Sequence, residues 1–110
     1  HDHCVQLPLV PAHCLHPYHM FYMLLPTSEQ RDQLIARLRA TGIQSVFHYL
    51  PLHLSVMGLK YGGRVGDCPV TEEISGRLLR LPFFSELTDT DQDRIVAAIR
   101  EAGPSISRPR

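Results

Sequence analysis

The residues best suited to chemistry lie together in the run Phe47–Leu54, which reads Phe-His-Tyr-Leu-Pro-Leu-His-Leu. Its His48, Tyr49 and His53 side chains donate and accept hydrogen bonds, and histidine also carries charge near neutral pH. Pro51 lacks a backbone donor and favours extended geometry before it, so we predict that a strand ends here and a loop follows. Such loops hold ligands in many α/β proteins, although packing at the rim of a core would place the same rings there.

Length and composition predict one globular domain. The chain has 110 residues, of which 44% are hydrophobic and 20% charged, so it can bury a core without disulfides. Eleven basic residues balance eleven acidic ones, so no net field attracts nucleic acid or anionic lipid. No apolar run approaches the roughly 20 residues of a membrane span, and three cysteines fit a reducing compartment. We therefore expect a soluble, cytoplasmic protein without nucleic-acid or membrane partners.

The first 17 residues combine prolines with possible metal ligands. Three prolines exclude a stable helix, so we predict an extended lead-in over residues 1–17. Because the chain begins at His1, we interpret this lead-in as the end of a missing larger domain. Only Cys14 and His16 lie close together among the better-placed ligands, whereas structural zinc sites combine two such pairs. A metal site is thus an alternative that we do not favour. The possible ligands are Cys4, His13, Cys14 and His16, with His1 and His3 near Cys4.

Three segments are predicted to be extended. Tyr18–Leu25 is apolar on both faces, which is typical of a buried central strand. Its His19, Phe21 and Tyr22 side chains are predicted to pack within the sheet. The other extended segments are Ile43–His48 and Leu79–Phe84.

Caps and apolar stripes predict three helices. The first has Thr27 and Gln30 at capping-box spacing and stops at Gly42, the second opens at Thr71, and the third runs from Thr88 to Gly103. These elements predict an α/β (or α+β) domain over 18–103, with a small mixed or antiparallel sheet and a disordered tail over 104–110. The predicted buried stripes are Leu34, Ile35 and Leu38 in the first helix, and Ile95, Val96 and Ile99 in the third. Arg31, Arg37 and Arg39 are predicted to face water.

The connection from residue 54 to residue 69 is long for so small a domain, and such loops are usually functional or mobile. It contains three glycines within five positions, with Lys60 and Arg64 interleaved. Glycines of this kind let backbone amides approach an anion, but Walker spacing is absent and we assign no P-loop. A plain surface loop is equally compatible with this composition.

Four segments, in their order along the chain, resemble the C-terminal part of the DegT/DnrJ/EryC1/StrS aminotransferases. The resemblance covers about residues 13 to 102 and is strongest to dTDP-linked 4-keto-6-deoxyhexose transaminases, because Phe-His-Tyr-x-Pro-Leu-His is their style. The segments are His16–Tyr22, Val46–His53, Pro69–Glu72 and Arg80–Phe84.

The resemblance implies the small C-terminal domain of a fold type I enzyme, similar to aspartate aminotransferase. Such enzymes use pyridoxal phosphate to aminate nucleotide-linked keto sugars, with glutamate as the expected donor, for example in cell-surface polysaccharide biosynthesis. The Schiff-base lysine and most cofactor ligands would belong to the missing large domain. Lys60 does not match the cofactor-lysine motif, so we assign no catalytic, cofactor-binding or metal residue and expect this chain alone to be inactive and without cofactor.

The role that the resemblance leaves for this domain is substrate positioning at a homodimer interface. His48 and Tyr49 are the leading candidates for hydrogen bonds to the sugar or its pyrophosphate, and His53 is a weaker one. Lys60 and Arg64 are possible phosphate contacts. We also expect an exposed apolar face where the large domain would pack. A stand-alone module that binds a small metabolite or a metal is the alternative.

Overall fold

The computed structural model describes residues 4–103, and the predictions for His1, His3 and the tail 104–110 lie outside this range. Within it the chain forms a three-stranded antiparallel sheet with helices around it, which confirms the α/β class. Four helices are present in this range instead of three. The strands are β1 (Tyr22–Leu24), β2 (Val46–Phe47) and β3 (Leu78–Arg80); the helices are α1 (Ser28–Ala40), α2 (Val56–Lys60), α3 (Pro69–Arg77) and α4 (Asp89–Glu101), with a 3₁₀ turn at Leu52–Leu54.

The central strand is β3, so the prediction of a central strand over Tyr18–Leu25 was wrong. β3 pairs with β1 on one side and with β2 on the other. Tyr18 has a φ of 47°, a conformation that interrupts an extended run, and β1 begins only at Tyr22. His19 and Phe21 precede the strand and are exposed, so their predicted packing was also wrong; Tyr22 is half-buried.

The hydrophobic core lies between the sheet and helices α1 and α4. Val5, Leu25, Leu38 and Leu79 are its most deeply buried large side chains. Val5 comes from the predicted lead-in, and the adjacent Gln6 exchanges two backbone hydrogen bonds of 2.9 Å with Leu24. Part of the lead-in therefore packs on the domain. The remaining core residues are Met23, Leu34, Ile43, Ile95 and Ile99.

Helix α1 begins and ends as its sequence predicts. Thr27 is the N-cap, and its hydroxyl oxygen accepts a hydrogen bond of 3.2 Å from the Gln30 amide. Gly42, with a φ of 76°, ends the helix because glycine adopts left-handed geometry without strain. Leu34 and Leu38 are buried, which confirms the predicted apolar stripe.

Arg31 does not face water, contrary to the prediction. Its side chain is only 12% exposed and forms an ion pair of 2.6 Å with Asp32. The guanidinium also donates a hydrogen bond of 3.4 Å to the Leu78 carbonyl and lies over the Phe47 ring. Arg31 thus fastens α1 to the sheet.

Helix α4 confirms its predicted cap and most of its stripe. The Thr88 hydroxyl and the Asp91 carboxylate form a reciprocal capping box. Ile95 and Ile99 are buried, whereas Val96 is 45% exposed. Consecutive residues of an α-helix are rotated by about 100° around its axis, so Val96 faces away from the side on which Ile95 is buried. The prediction for Val96 was wrong.

The connection 54–69 contains helix α2 and is not a plain loop. The Ser55 hydroxyl caps α2 by accepting a 3.0 Å hydrogen bond from the Gly58 amide. Gly62, with a φ of 95°, ends it in a Schellman motif, in which the Gly63 amide donates to the Gly58 carbonyl at 2.9 Å. Glycines that suggested an anion loop thus stop a helix.

Helix α3 starts two residues before the predicted Thr71. Pro69 occupies its first turn, where a fixed φ and a missing amide donor cost nothing. Among residues 4–103, none of the helices has both the length and the apolar character needed to cross a membrane.

Candidate functional site

A groove of about 610 Å³ lies between the run Phe47–Leu54 and helix α3. One wall carries the rings predicted to bind a ligand, and the other carries apolar and hydroxyl side chains of the helix. Such a mixture is typical of small-molecule sites, in which a few polar groups orient a ligand against apolar walls. The lining includes His48, Tyr49 and His53 on one wall and Val70, Thr71 and Ile74 on the other.

His48 and Tyr49 lie side by side on one wall of this groove. Their rings meet edge to face with centroids 5.1 Å apart, and the Tyr49 ring is 76% exposed. The Nδ1 atom of His48 is buried and has no hydrogen-bond partner within residues 4–103. Since an unsatisfied buried polar atom costs free energy, this nitrogen is a natural contact for a bound ligand or for another part of a longer protein.

His53 lines the groove, but its Nε2 atom already has a partner. That atom lies 2.8 Å from Oε1 of Glu72, and the two side chains are only 14% and 19% exposed. The hydrogen bond from His53 lowers the pKa of Glu72, and amide hydrogen bonds from Gly66 and Cys68 act in the same direction against the effect of burial. The carboxylate is therefore ionised at neutral pH and accepts the proton that His53 Nε2 carries.

Lys60 and Arg64 do not line this groove. Lys60 is exposed in the last turn of α2, and Arg64 is exposed in the loop that follows. A turn shapes the Arg64 backbone, because its amide donates to Oδ2 of Asp67 at 2.8 Å. The structure thus brings His48, Tyr49 and His53 together and leaves the two cations outside the groove.

Sequence reasoning missed the α3 wall and the part that Glu72 plays. Glu72 was noted only as an acid in the first turn of a helix, where it complements the helix dipole. Its contact with His53 spans 19 positions of sequence, so no local pattern signals it. Val70 and Ile74 were similarly visible only as apolar residues near a helix start.

The predicted metal alternative gains no support from the part of the chain that the structure describes. Among residues 4–103, no three histidine, cysteine, aspartate or glutamate side chains lie together in a way that could hold a metal ion. Cys14 is exposed and Cys4 is half-buried, and both are free thiols.

The chain does not place a lysine in the groove. Its one lysine, Lys60, is exposed and lies outside the groove that His48 and Tyr49 line. A Schiff-base lysine needs a nearby pocket for the cofactor ring. Lys60 does not meet this requirement at the groove.

The fold and the groove define a small α/β domain in which polar rings line one wall of a groove. Residues 3–100 match the model of the DegT/DnrJ/EryC1/StrS aminotransferase family. The chain belongs to that family, as its four sequence segments indicated.

Individual relatives agree with this assignment. The chain is 31% identical over 103 residues to a dTDP-3-amino-3,4,6-trideoxy-alpha-D-glucose transaminase of Micromonospora megalomicea subsp. nigra, covering 91% of this chain and 26% of the relative. It is 36% identical over 97 residues to a UDP-N-acetyl-3-dehydro-alpha-D-glucosamine 3-aminotransferase of Acidithiobacillus ferrooxidans, covering 87% and 25%. Its fold superposes on the crystal structure of S. venezuelae DesV with a TM-score of 0.82 and 29% identity, covering 91% of this chain and 27% of DesV.

These matches also show how much of a relative the chain represents. It spans about a quarter of the length of each of these proteins.

Proposed function

We propose that this chain is the C-terminal small domain, over residues 18–103, of a pyridoxal phosphate-dependent nucleotide-sugar aminotransferase. The whole enzyme would aminate a dTDP-linked 4-keto-6-deoxyhexose, with glutamate as amino donor. The domain contributes substrate contacts and dimer contacts, whereas the Schiff-base lysine belongs to the larger part. The observation that carries the proposal is the groove lined by His48 and Tyr49 in a chain of this family.

The two rings have complementary tasks in the proposed site. The exposed Tyr49 hydroxyl donates to, or accepts from, a sugar hydroxyl or a pyrophosphate oxygen. His48 offers the unsatisfied Nδ1 atom to the same ligand. When bound by the whole enzyme, pyridoxal phosphate supplies the electron sink for amino transfer. The work of this domain is to orient the sugar nucleotide and to exclude water from it.

The exposed apolar side chains of residues 49–70 support the placement of this domain against a larger one. We call these side chains the open face; they include Leu52 and Val56, which are 84% and 88% exposed. Exposed apolar patches of this kind mark surfaces that other protein covers. In the proposed enzyme the rest of the subunit and its dimer partner cover the open face.

Substitutions in the intact enzyme test the proposed substrate contacts. His48→Ala and Tyr49→Phe should each raise the KM for the sugar nucleotide about tenfold, the effect of losing one hydrogen bond to a charged group. Cofactor uptake, followed by visible absorbance, should stay unchanged. His13→Ala is the matched control, because His13 is exposed and lies outside the groove. Unchanged kinetics for both groove variants would remove these residues from the site.

Two further measurements test whether the Schiff-base lysine and the cofactor site lie outside this chain. Lys60→Ala in the intact enzyme should keep the cofactor, since Lys60 is not the Schiff-base residue. The 110-residue chain alone should neither retain pyridoxal phosphate nor turn over substrate. Cofactor-dependent turnover by this chain alone would overturn the proposal.

A further inference from the structure

One carboxylate oxygen joins three separate segments beside the groove. Oε1 of Glu72, in α3, lies 2.8 Å from Nε2 of His53 in the 3₁₀ turn and 2.8 Å from the Gly66 amide in the following loop. It also accepts a longer hydrogen bond of 3.4 Å from the Cys68 amide. Because an ionised carboxylate oxygen only accepts, all three nitrogens donate to it. Glu72 is thus the meeting point of the 3₁₀ turn, the glycine-containing loop 61–68 and α3.

The start of the loop 61–68 and the helix before it pack closely against the 3₁₀ turn. A Cβ atom on Gly58 or on Gly63 would lie closer than 3.0 Å to a backbone carbonyl oxygen of the 3₁₀ turn. Within the loop, the Asp67 carboxylate accepts the Arg64 amide at 2.8 Å, and the Asp67 amide donates to the Arg64 carbonyl at 3.2 Å. The Arg64 backbone therefore has a defined place.

Each of these contacts is polar or steric, and the loop lacks apolar anchoring of its own. Val65 and Tyr61 are both 80% exposed. Without burial to hold a segment, its order depends on its hydrogen bonds. Backbone hydrogen bonds join the two ends of this loop to α2 and α3, and the hydrogen bond from the Gly66 amide to Glu72 ties its middle to α3.

We propose that Glu72 is a positioning residue that fixes the loop 61–68 through the Gly66 amide and His53, and so presents Arg64 to the phosphates of the sugar nucleotide. This inference rests on the proposed function. It assigns Glu72 and His53 to support of the loop, while His48 and Tyr49 contact the ligand. An arginine suits the task because its planar donors match phosphate oxygens in pairs.

Hydrogen exchange on the intact enzyme, without any substrate, tests whether Glu72 fixes the loop 61–68. Glu72→Ala should raise the exchange of peptide 61–68 about tenfold, since the Gly66 amide loses its acceptor. Glu73→Ala is the matched control: Glu73 is the next residue of the same helix, and its carboxylate pairs with Arg77 at 3.1 Å on the outer side. Unchanged exchange in Glu72→Ala would overturn the inference. Glu72→Gln keeps the side-chain volume and replaces Glu72→Ala if the latter is not recovered folded; it should shift exchange in the same direction.

Steady-state kinetics test whether Glu72 positions Arg64 for binding of the sugar nucleotide. Glu72→Ala should raise the KM for the sugar nucleotide about tenfold, with kcat and the KM for the amino donor changed less than about twofold. If Glu72 acts through Arg64, the double variant Glu72→Ala/Arg64→Ala should match Arg64→Ala alone, because the two residues then share one contribution. Additive effects, or an equal loss in kcat, would overturn the positioning role.

Together, the exchange and kinetic experiments distinguish a failure of this inference from a failure of the proposed function. If His48→Ala raises the KM and Glu72→Ala changes exchange but not KM, the positioning role fails and the proposed function stands. If His48→Ala, Tyr49→Phe and Arg64→Ala all leave the KM unchanged, the proposed function fails and takes the phosphate role of Arg64 with it.

Discussion

The sheet side of the molecule and the segment 49–70 hold their shape in opposite ways. On the sheet side, Leu38 and Leu79 are almost completely buried between helices and strands. In the segment 49–70, the apolar side chains of the open face point outward, and order comes from caps, glycine turns and the Glu72 carboxylate. Burial of apolar area is the main stabilising term in folding, so the first region carries the stability of the domain.

This difference is consistent with the proposal that the chain is one part of a larger enzyme. The sheet side buries its own apolar core. The segment 49–70 is shaped by polar and steric contacts, so its apolar side chains stay free to contact another surface. The groove lies at the boundary, with Leu78 of the central strand at its base and Tyr49 of the open face on its wall. The sheet side thus supports one wall of the groove, and in the proposed enzyme other parts of the protein would complete the site.

The largest expected effect comes from a truncation in the core. Leu79→Ala should lower the free energy of unfolding by about 2–5 kcal/mol, because it removes a fully buried side chain from the central strand and leaves a cavity. Urea unfolding followed by circular dichroism measures the loss. Leu52→Ala is the matched control on the open face and should change the same quantity by less than about 0.5 kcal/mol. Equal losses for both leucines would contradict the contrast between the regions.

Two helical glycines, Gly58 and Gly76, test whether close backbone packing shapes the segment 49–70. Gly58→Ala should lower the free energy of unfolding by about 1–3 kcal/mol, since its Cβ would collide with the Leu52 carbonyl oxygen. Gly76→Ala in α3 meets no atom within 4 Å, so better helix propensity should stabilise the chain by up to about 1 kcal/mol. The two substitutions are chemically identical, and urea unfolding should give opposite signs. A stabilised Gly58→Ala variant would show that α2 is free to move from the 3₁₀ turn.

The features that sequence reasoning predicted well are those that depend on near neighbours. The caps at Thr27 and Thr88, the stop at Gly42 and the buried positions of α1 each depend on contacts within a few residues. The run Phe47–Leu54 was likewise visible as a concentration of hydrogen-bonding rings. Local propensity and periodicity encode these features directly in the sequence.

The features that it missed depend on contacts between distant segments. An apolar run such as Tyr18–Leu25 looks like a central strand, but strand order depends on which partners pair, and β3 takes the middle position. Arg31 resembles a surface cation until the sheet brings the Leu78 carbonyl to it, 47 positions away. Glu72 and His53 are equally ordinary as separate residues. Their roles exist only after the chain has folded.

The smallest expected effect is a loss of folding stability at acidic pH, to which the Glu72 carboxylate beside the segment 49–70 contributes. Hydrogen bonds lower the pKa of Glu72 below its ordinary value of 4.5, from His53 first and then from the Gly66 and Cys68 amides. A carboxyl with a lowered pKa stabilises the folded state fully above its unfolded value, and this contribution disappears as the pH falls through the folded value. Stability should therefore decline below pH 4.5, and Glu29 and Asp91, whose pKa values are also lowered by cap hydrogen bonds, contribute to the same decline.

Glu72→Gln isolates the part of this decline that belongs to the segment 49–70. The glutamine cannot take up a proton in this range, so the variant should be less stable than the parent at neutral pH and should lose less stability on acidification. Urea unfolding between neutral pH and about pH 3 gives both curves, and their difference should shrink as the carboxyl of the parent protonates. Glu73→Gln is the control and should run parallel to the parent, because the Glu73 side chain is 59% exposed and pairs with Arg77 of its own helix rather than with the loop. Curves for Glu72→Gln that also run parallel would mean that the carboxylate does not hold the loop, and the order of segment 49–70 would then have to come from its glycine turns and caps alone.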